Sequence, residues 1–445
     1  MAKILIIDSE PLNLNFAMRC VEAGHFIYWH YFDKSIKDVG LGVYPDKIKH
    51  IDNWISIIKD VDITVNFQNE KYLNKLDFFR TTKGCKIFSP SQKSADLEIK
   101  REVGLKFLES HGIKCPAYRK FKTIDEAEAF LRTDKGRYVM KSLGDEDDKS
   151  LSYCSKDAAD LIEHLHWLKK NKIEPKDTFI LQEFIKGTEF AVNAWVGAKG
   201  FIGKFGESFE HKALASGEKG PATGEMGTVQ KYVESSVYAD TVLKPLEADL
   251  VKLGHIGSID VNSIITDDGT IHPLEFTARF GYPQWMIQQN LHEGDPVQWM
   301  IDACDGKDTL QVKMDTGLCV VLVVGPFPFE NHGADTTRSE GLPIYGVNNG
   351  NKKHLIPQFA KMGMINTQSA EGGAIKKEKG WVTASTYYMV VNALGDSIEQ
   401  CRTRVYKTID QLHTPGSFYR DDIGEKVVKW LDGLHKNNFA KEFKK

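Results

Sequence analysis

The sequence predicts a mixed α/β (α+β) chain divided into three units, and three observations carry that expectation. A strand, a polar loop and a helix follow one another at the N-terminus, the opening of a small parallel α/β unit. Leu161, Ile162, Leu165 and Leu168 recur on one face of a helical stretch. The segment Gly257–Arg279 reads as two alternating strands joined at Asp268-Gly269, where the glycine takes the positive φ of a tight turn.

Taken in order, the first unit covers residues 1–90. It holds a strand at Lys3–Asp8, a helix around Asn15–Gly24, a strand around Ile63–Phe67 and another at Lys86–Phe88. The second unit, 91–312, opens with one helix from Asp96 to His111, its core side set by Leu97, Leu105 and Leu108 and its end by Gly112. Strand Tyr138–Lys141, a polar loop, helix Ala158–Lys170, strand Thr178–Phe184, a turn at Lys186-Gly187 and strand Glu189–Gly197 follow. The glycine-rich run Gly220–Gly227 is expected to be structureless, and the hairpin completes the unit. The third unit, 313–436, begins with the apolar strand Cys319–Gly325. It continues through Trp381–Leu394 to a helix from Asp396 to Leu412, with Ile398, Val405, Ile409 and Leu412 as its core side. Residues 437–445, with Lys441, Lys444 and Lys445, form a basic tail expected to be solvated and frayed.

At 445 residues the chain can bury substantial cores. A net charge of −3 gives no basic footprint for nucleic acid. No apolar run is long enough to span a bilayer, and no charged-then-apolar signal opens the sequence. Seven scattered cysteines without zinc-like spacing point to reduced thiols rather than a disulfide framework. The expectation is a cytoplasmic protein with no membrane or nucleic-acid partner.

Several residues point to nucleotide chemistry. The hairpin brings Asp260 and Glu275 together as two hard oxygen ligands, with Arg279 just beyond, a plausible seat for magnesium carrying phosphates. The alternative is a pair of edge-strand carboxylates facing water. Lys141 ends a strand, and Gly144, the acidic run Asp145–Asp148 and Lys149 follow; this reads either as a flap over polyphosphate or as an exposed loop. Gln182, Glu183, Phe184 and Ile185 end a strand and Glu189 opens the next. Such a segment can offer backbone groups to adenine and a carboxylate to ribose, or be two ordinary strands. His211-Lys212 precede the glycine-rich run, whose backbone N–H groups can approach an anion.

In this order the pieces resemble the ATP-grasp ligases, and within them glycinamide ribonucleotide synthetase (phosphoribosylamine–glycine ligase). The likeness runs from about Lys86 to Gly424. It is carried by Lys86-Ile-Phe-Ser-Pro90, Leu97-Glu98, Lys141…Gly144…Lys149, Gln182-Glu-Phe-Ile…Gly187-Thr-Glu189 and His211-Lys212. Further on come Gly220-Pro-Ala-Thr-Gly-Glu-Met-Gly227, Leu274-Glu-Phe-Thr-Ala-Arg-Phe-Gly281, Ala393-Leu-Gly395 and Tyr419-Arg-Asp-Asp-Ile-Gly424. The resemblance implies an ATP-grasp fold over 91–312, with a mobile lobe at about 117–190, a Rossmann-like N-terminal domain and a C-terminal α+β domain. It implies ATP and Mg2+ (or Mn2+) as cofactors, and a small carboxylate, such as an amino acid, joined to an amine by a monomer or homodimer. Arg101, or Lys100 beside it, would contact ATP. Lys141 and Lys149 would hold its phosphates, Gln182, Glu183, Phe184 and Ile185 adenine, and Glu189 ribose. Glu275 would hold the metal with Asp260 and Thr277. Arg279, Lys149 and Lys212 would serve the chemistry, Arg279 by stabilising the transferring phosphoryl or an acyl phosphate.

Two departures fall on the amine side and two more lie near the chemistry. The family's glycine-rich turn with Arg-Glu, which grips a ribose phosphate, is here Asp8-Ser-Glu-Pro-Leu-Asn-Leu-Asn15, with neither glycine nor arginine. Its Gly-Pro-Glu is Asn66-Phe-Gln-Asn69, its magnesium-binding Asn is Thr277, and its Asp-Pro-Glu is Tyr282-Pro-Gln284. The expectation is a ligase with altered substrates. Two alternatives stand beside it: the genuine purine enzyme, and an ATP-binding regulator without catalysis.

Overall fold

The computed structural model describes the chain except residues 37, 143–151, 174, 176, 177, 330–335 and 369–371. The N-terminal unit is a parallel sheet of β1 (Lys3–Asp8), β2 (Phe26–Tyr31), β3 (Ile48–His50), β4 (Ile63–Asn66) and β5 (Ile87–Phe88), in the order β3-β2-β1-β4-β5. Helices α1 (Leu14–Glu22) and α2 (Leu73–Lys83) connect its strands. This is the doubly wound, Rossmann-like arrangement. Sequence reading missed β2 and β3. Phe26-Ile-Tyr-Trp-His-Tyr31 carries large side chains at every position, so no alternation marks it.

The helix expected from Asp96 to His111 is two helices, α3 (Gln92–Ile99) and α4 (Arg101–Ser110). Ser91 caps α3 through the N–H of Ser94. The chain turns at Lys100 (φ −108°, ψ 83°), and Gly104 makes the close crossing possible. A Cβ there would sit 2.3 Å from the Leu97 carbonyl oxygen and 3.1 Å from the Phe276 ring.

A separate four-stranded sheet follows, built from β6 (Tyr118–Phe121), β7 (Tyr138–Ser142), β8 (Tyr153–Cys154) and β9 (Phe179–Glu183), in the order β6-β9-β7-β8. Its helices α5 (Ile124–Thr133) and α6 (Ala158–Lys170) bury Leu131, Leu161, Leu165 and Leu168 against Met140, Phe179 and Leu181.

The largest sheet holds β10 (Thr188–Gly197), β11 (Gly200–Glu210), β14 (Gly227–Val233), β15 (Gly257–Ile265), β16 (Ile271–Thr277), β17 (Thr316–Val324), β18 (Leu355–Pro357), β21 (Tyr387–Gly395) and β22 (Ser417–Phe418). Its order is β16-β15-β10-β11-β14-β17-β21-β18, with β22 paired to β17. It runs unbroken across residue 312, because β14 of the second unit pairs with β17 of the third. Helices α7 (Glu247–Lys252), α8 (Gln284–Leu291), α9 (Gln298–Cys304), α10 (Ile398–Ile409) and α11 (Glu425–Lys436) complete it. Alternation sorts its faces. Phe190, Val192, Phe209, Val229, Val261 and Phe276 enter the core with α4 and α10. The opposite face carries polar side chains, among them Asn193, Ser208, Gln230, Asp260 and Asn262, and α8 lies on it through Gln284 and Gln288.

Two further expectations are corrected. The stretch around Gly220–Gly227 contains a small ribbon, β12 (Ala213–Ala215) with β13 (Lys219–Ala222), comparable to the ribbon β19 (Ala360–Thr367) with β20 (Lys376–Thr383). The tail is docked rather than frayed. Phe439, Ala440 and Phe443 are buried in the main core, Phe443 edge-on to Phe209, and the Lys444 carbonyl accepts from Ile398 N–H. Two aromatic anchors outweigh the three lysines that made the segment look solvated. No helix among the described residues is long and apolar enough to cross a membrane, and all seven cysteines are free thiols.

Candidate active site

The hairpin β15–β16 forms as expected, with Gly269 at φ +83°. Its register refines the picture. Asp260 stands opposite Thr277, and Glu275 stands opposite Asn262. Because paired residues share a face, these four side chains point the same way. The neighbouring strand adds Glu189 to that face, with Ala191 beside Asn262, and β11 adds Glu210.

Lys212 is the hub. Its ammonium lies 2.9 Å from Glu189, 2.8 Å from Glu210 and 4.0 Å from Glu275. The Asn262 amide donates to Glu189 (2.8 Å) and to Glu210 (3.1 Å). Burial works against the Lys212 charge, but Glu189, Glu210 and Glu275 together hold its pKa well above that of a free lysine. Burial also opposes the charge of Glu275, yet Arg101, Lys141 and Lys212 pull its carboxyl below the ordinary range. The Glu210 carboxyl is pushed up, by burial and by the charges of Glu189 and Glu275, against the pull of Lys212.

Arg101 is the first residue of α4, and its guanidinium meets Glu275 at 2.8 Å. The turn at Lys100 starts the second helix there. Lys100 itself pairs with Asp96 on the surface. Lys141, on β7 of the small sheet, is near enough for its charge to be felt at Glu275. Arg279 is held by Glu98, which accepts from Arg279 Nε at 3.1 Å and from the Ala278 N–H at 2.6 Å. Burial raises the Glu98 pKa, and the Arg279 charge opposes the rise.

Other expected residues are placed differently. Gln182 is buried in β9, and its Nε2 has no hydrogen-bond partner among the described residues. The N–H groups of Glu183 and Phe184 are spent on the carbonyls of Ala117 and Arg137, and the Arg137 guanidinium covers the Phe184 ring at 3.4 Å. Ile185 lies in the connection to β10. Glu189 faces Lys212 and Asn262 inside the cluster. Lys149, with Gly144 and the run Asp145–Asp148, lies outside the described residues.

The donors on this face are hard oxygens, although among the described residues no three carboxylates are gathered closely enough to hold a metal ion by themselves. Carboxylates outnumber ammonium groups around Lys212, and the buried oxygens Asp260 Oδ1 and Asn262 Oδ1 have no hydrogen-bond partner among the described residues. Hard oxygen donors of this kind suit magnesium or manganese. Glu275 and Asp260 would hold such an ion, with Thr277 and Asn262 beside them.

Sequence reading missed Asn262, Glu210 and the holding role of Glu98. Period-two alternation would have found Asn262, two residues after Asp260. Glu210 is adjacent to His211-Lys212, but it joins the cluster through pairing across strands distant in sequence. The N-terminal loop is closed on itself. Asp8 is buried and accepts from Asn13 Nδ2 (2.8 Å) and Trp29 Nε1 (3.0 Å), and burial pushes it up to about 7. Asn66 and Gln68 satisfy each other and the nearby backbone.

The chain is similar to known proteins in sequence and in fold. Residues 101–285 match the family model described as the phosphoribosylglycinamide synthetase, ATP-grasp (A) domain. The chain is 28% identical over 360 residues to phosphoribosylamine–glycine ligase of Streptococcus pneumoniae strain R6, covering 78% of this chain and 80% of that protein. The crystal structure of phosphoribosylamine–glycine ligase from Thermotoga maritima superposes with a TM-score of 0.70 at 18% identity, over 95% of this chain and 100% of that one. An L-amino acid ligase from Bacillus licheniformis gives 0.57 at 13% identity, over 93% and 98%. Residues 101–285 thus match an ATP-grasp domain, the chain shares its overall fold with solved ligases of that kind, and it resembles phosphoribosylamine–glycine ligase, a C–N bond-forming enzyme.

Proposed function

We propose that this protein couples ATP cleavage to amide formation between a small carboxylate and an amine other than phosphoribosylamine. The observation that carries the reading is the convergence of Arg101, Lys141 and Lys212 on Glu275, on one face of a rigid sheet.

In this reading ATP lies between the large sheet and the four-stranded sheet. Lys141 and Arg101 attract its phosphates, Ile185 and the Gln182 amide meet the base, and Glu189 meets the ribose. Glu275 and Asp260 would hold a divalent ion, which would supply positive charge to the phosphates. The substrate carboxylate attacks the γ-phosphorus, the bond to the β-phosphate oxygen breaks, and ADP leaves. Arg279, fixed by Glu98, faces the acyl phosphate so formed. The amine adds to the acyl carbon, phosphate departs, and a proton is lost from nitrogen. No enzyme nucleophile takes part.

The altered amine rests on the N-terminal loop. Its Asp8 carboxyl is buried, its Asn13 amide is committed to Asp8, and Glu10 stands beside them. A phosphate finds no glycine-built cradle of N–H groups there. Phosphate release from ATP, followed across amino acids crossed with amines and with mass analysis of products, tests both parts. Glu275→Gln is expected to lower release at least about 100-fold, the scale of losing a principal electrostatic contact; survival of turnover would falsify the metal assignment. Growth of a purine auxotroph lacking phosphoribosylamine–glycine ligase, rescued by this gene, would overturn the altered-substrate part alone.

A further inference from the structure

The loop that carries Lys212 is fastened to a part of the chain some two hundred residues away. Residues 211–227 leave β11 as an excursion, fold as the ribbon β12–β13, and return into β14. At the base, Met226 N–H donates to the His211 carbonyl, and both Thr223 N–H and Thr223 Oγ1 donate to the Lys212 carbonyl at 2.8 Å. The outer side is gripped by Tyr419-Arg-Asp-Asp-Ile-Gly424. His211 is fully buried. Its Nε2 accepts from the Gly424 N–H at 3.0 Å, and its Nδ1 lies 3.2 Å from the Gly227 carbonyl. Only a neutral imidazole with its proton on Nδ1 meets both demands.

Arg420 is also fully buried. Its guanidinium takes Asp422 in a fork at 2.8 and 2.9 Å, reaches Glu218 at 2.7 Å and donates to the Ala213 carbonyl at 3.0 Å. Ser216 Oγ donates to Asp421 and Gly217 N–H to Asp422. Among the described residues, the polar contacts of the ribbon's far side are thus made to residues 420–424, with Lys426 adding a looser contact to Glu218 at 3.3 Å. A lysine stem has four rotatable bonds, so its ammonium is only as well placed as its backbone.

We propose that His211 and Arg420 are positioning residues. They clamp the 211–227 excursion so that the Lys212 ammonium stays among Glu189, Glu210 and Glu275. The inference rests on the reading of that cluster as the nucleotide site. It gives the C-terminal unit a part in the chemistry: residues 420–424 touch no substrate but set where a cation stands.

Two readouts separate positioning from bulk stability, both on the full chain at a temperature where every variant is folded. One is the rate at which acetic anhydride labels Lys212, followed by peptide mass analysis. The other is the affinity for MgATP by calorimetry. His211→Leu and the surface double variant Ser216→Ala/Glu218→Gln are expected to label Lys212 several-fold faster and bind MgATP about tenfold more weakly, a modest share of what ångström-scale misplacement costs. His211→Gln offers an amide oxygen to Gly424 N–H and should stay within about threefold of the parent in both. Loosened variants that label and bind like the parent overturn the clamp. So does His211→Gln behaving like His211→Leu. A parent that binds no MgATP overturns the ligase reading instead, whatever the labelling shows.

Discussion

Buried carboxyls decide much of the behaviour at the scale of single residues. Glu207 is almost fully buried on the apolar face of the large sheet, opposite the Lys212 cluster. Burial pushes it up to about 7, partly offset by Ser236 Oγ, which donates at 2.6 Å. A carboxyl raised in the folded state contributes most below its unfolded pKa, and that contribution is lost as pH rises through the folded value. Between about pH 4.5 and 7 the wild-type chain therefore gives up stability that Glu207→Gln keeps. The variant should melt higher at pH 8, by an amount on the order of 3 kcal/mol, and match the parent near pH 4.5; thermal melts across that range check it. A difference that does not shrink on acidification would refute the assignment. At this scale the sequence was partly legible. Glu275, Arg279 and Lys141 could be read from strand ends, because alternation and termini are local properties. Glu210 and Asn262 needed the pairing of strands far apart in sequence.

Among the elements, the bend between α3 and α4 is the most consequential. Spacing of Leu97, Leu105 and Leu108 marks the buried side correctly, since all three are buried. Nothing in that spacing shows the break at Lys100, because apolar residues recur at helical intervals on either side of it. The tertiary contact responsible is Gly104 against the Leu97 carbonyl and Phe276. Gly104→Ala should gain helix propensity of about 1 kcal/mol. It must also move a backbone oxygen, and overpacking of this kind costs about 1–3 kcal/mol. The clash is expected to win, with a lower urea midpoint and weaker MgATP affinity as Arg101 is drawn away from Glu275. An unchanged midpoint and affinity would show that the crossing has slack. The ribbon β12–β13 makes the same point about legibility. A glycine-rich run looks structureless until the partner that fastens it, residues 420–424, is brought alongside.

The whole molecule was legible in outline. The strand-helix alternation of the first ninety residues follows from local pattern, whereas the two lobes of the middle are implied by the resemblance to the ATP-grasp ligases. The third unit's dependence on the second follows from neither source, because β14 and β17 are about ninety residues apart and neither sequence advertises its neighbour. The order β11-β14-β17-β21 makes the last third of the chain a continuation of the sheet that carries the candidate site. Severing the polypeptide near residue 312 would strip a long hydrogen-bonding edge from Gly227–Val233 and uncover Val229. Bare edges of that length recruit one another. The fragment 1–312 is thus expected to emerge as insoluble aggregate, and co-production with 313–436 through Lys445 should restore solubility by supplying the missing strands. Monomeric fragment with a cooperative melt would mean that the sheet tolerates amputation.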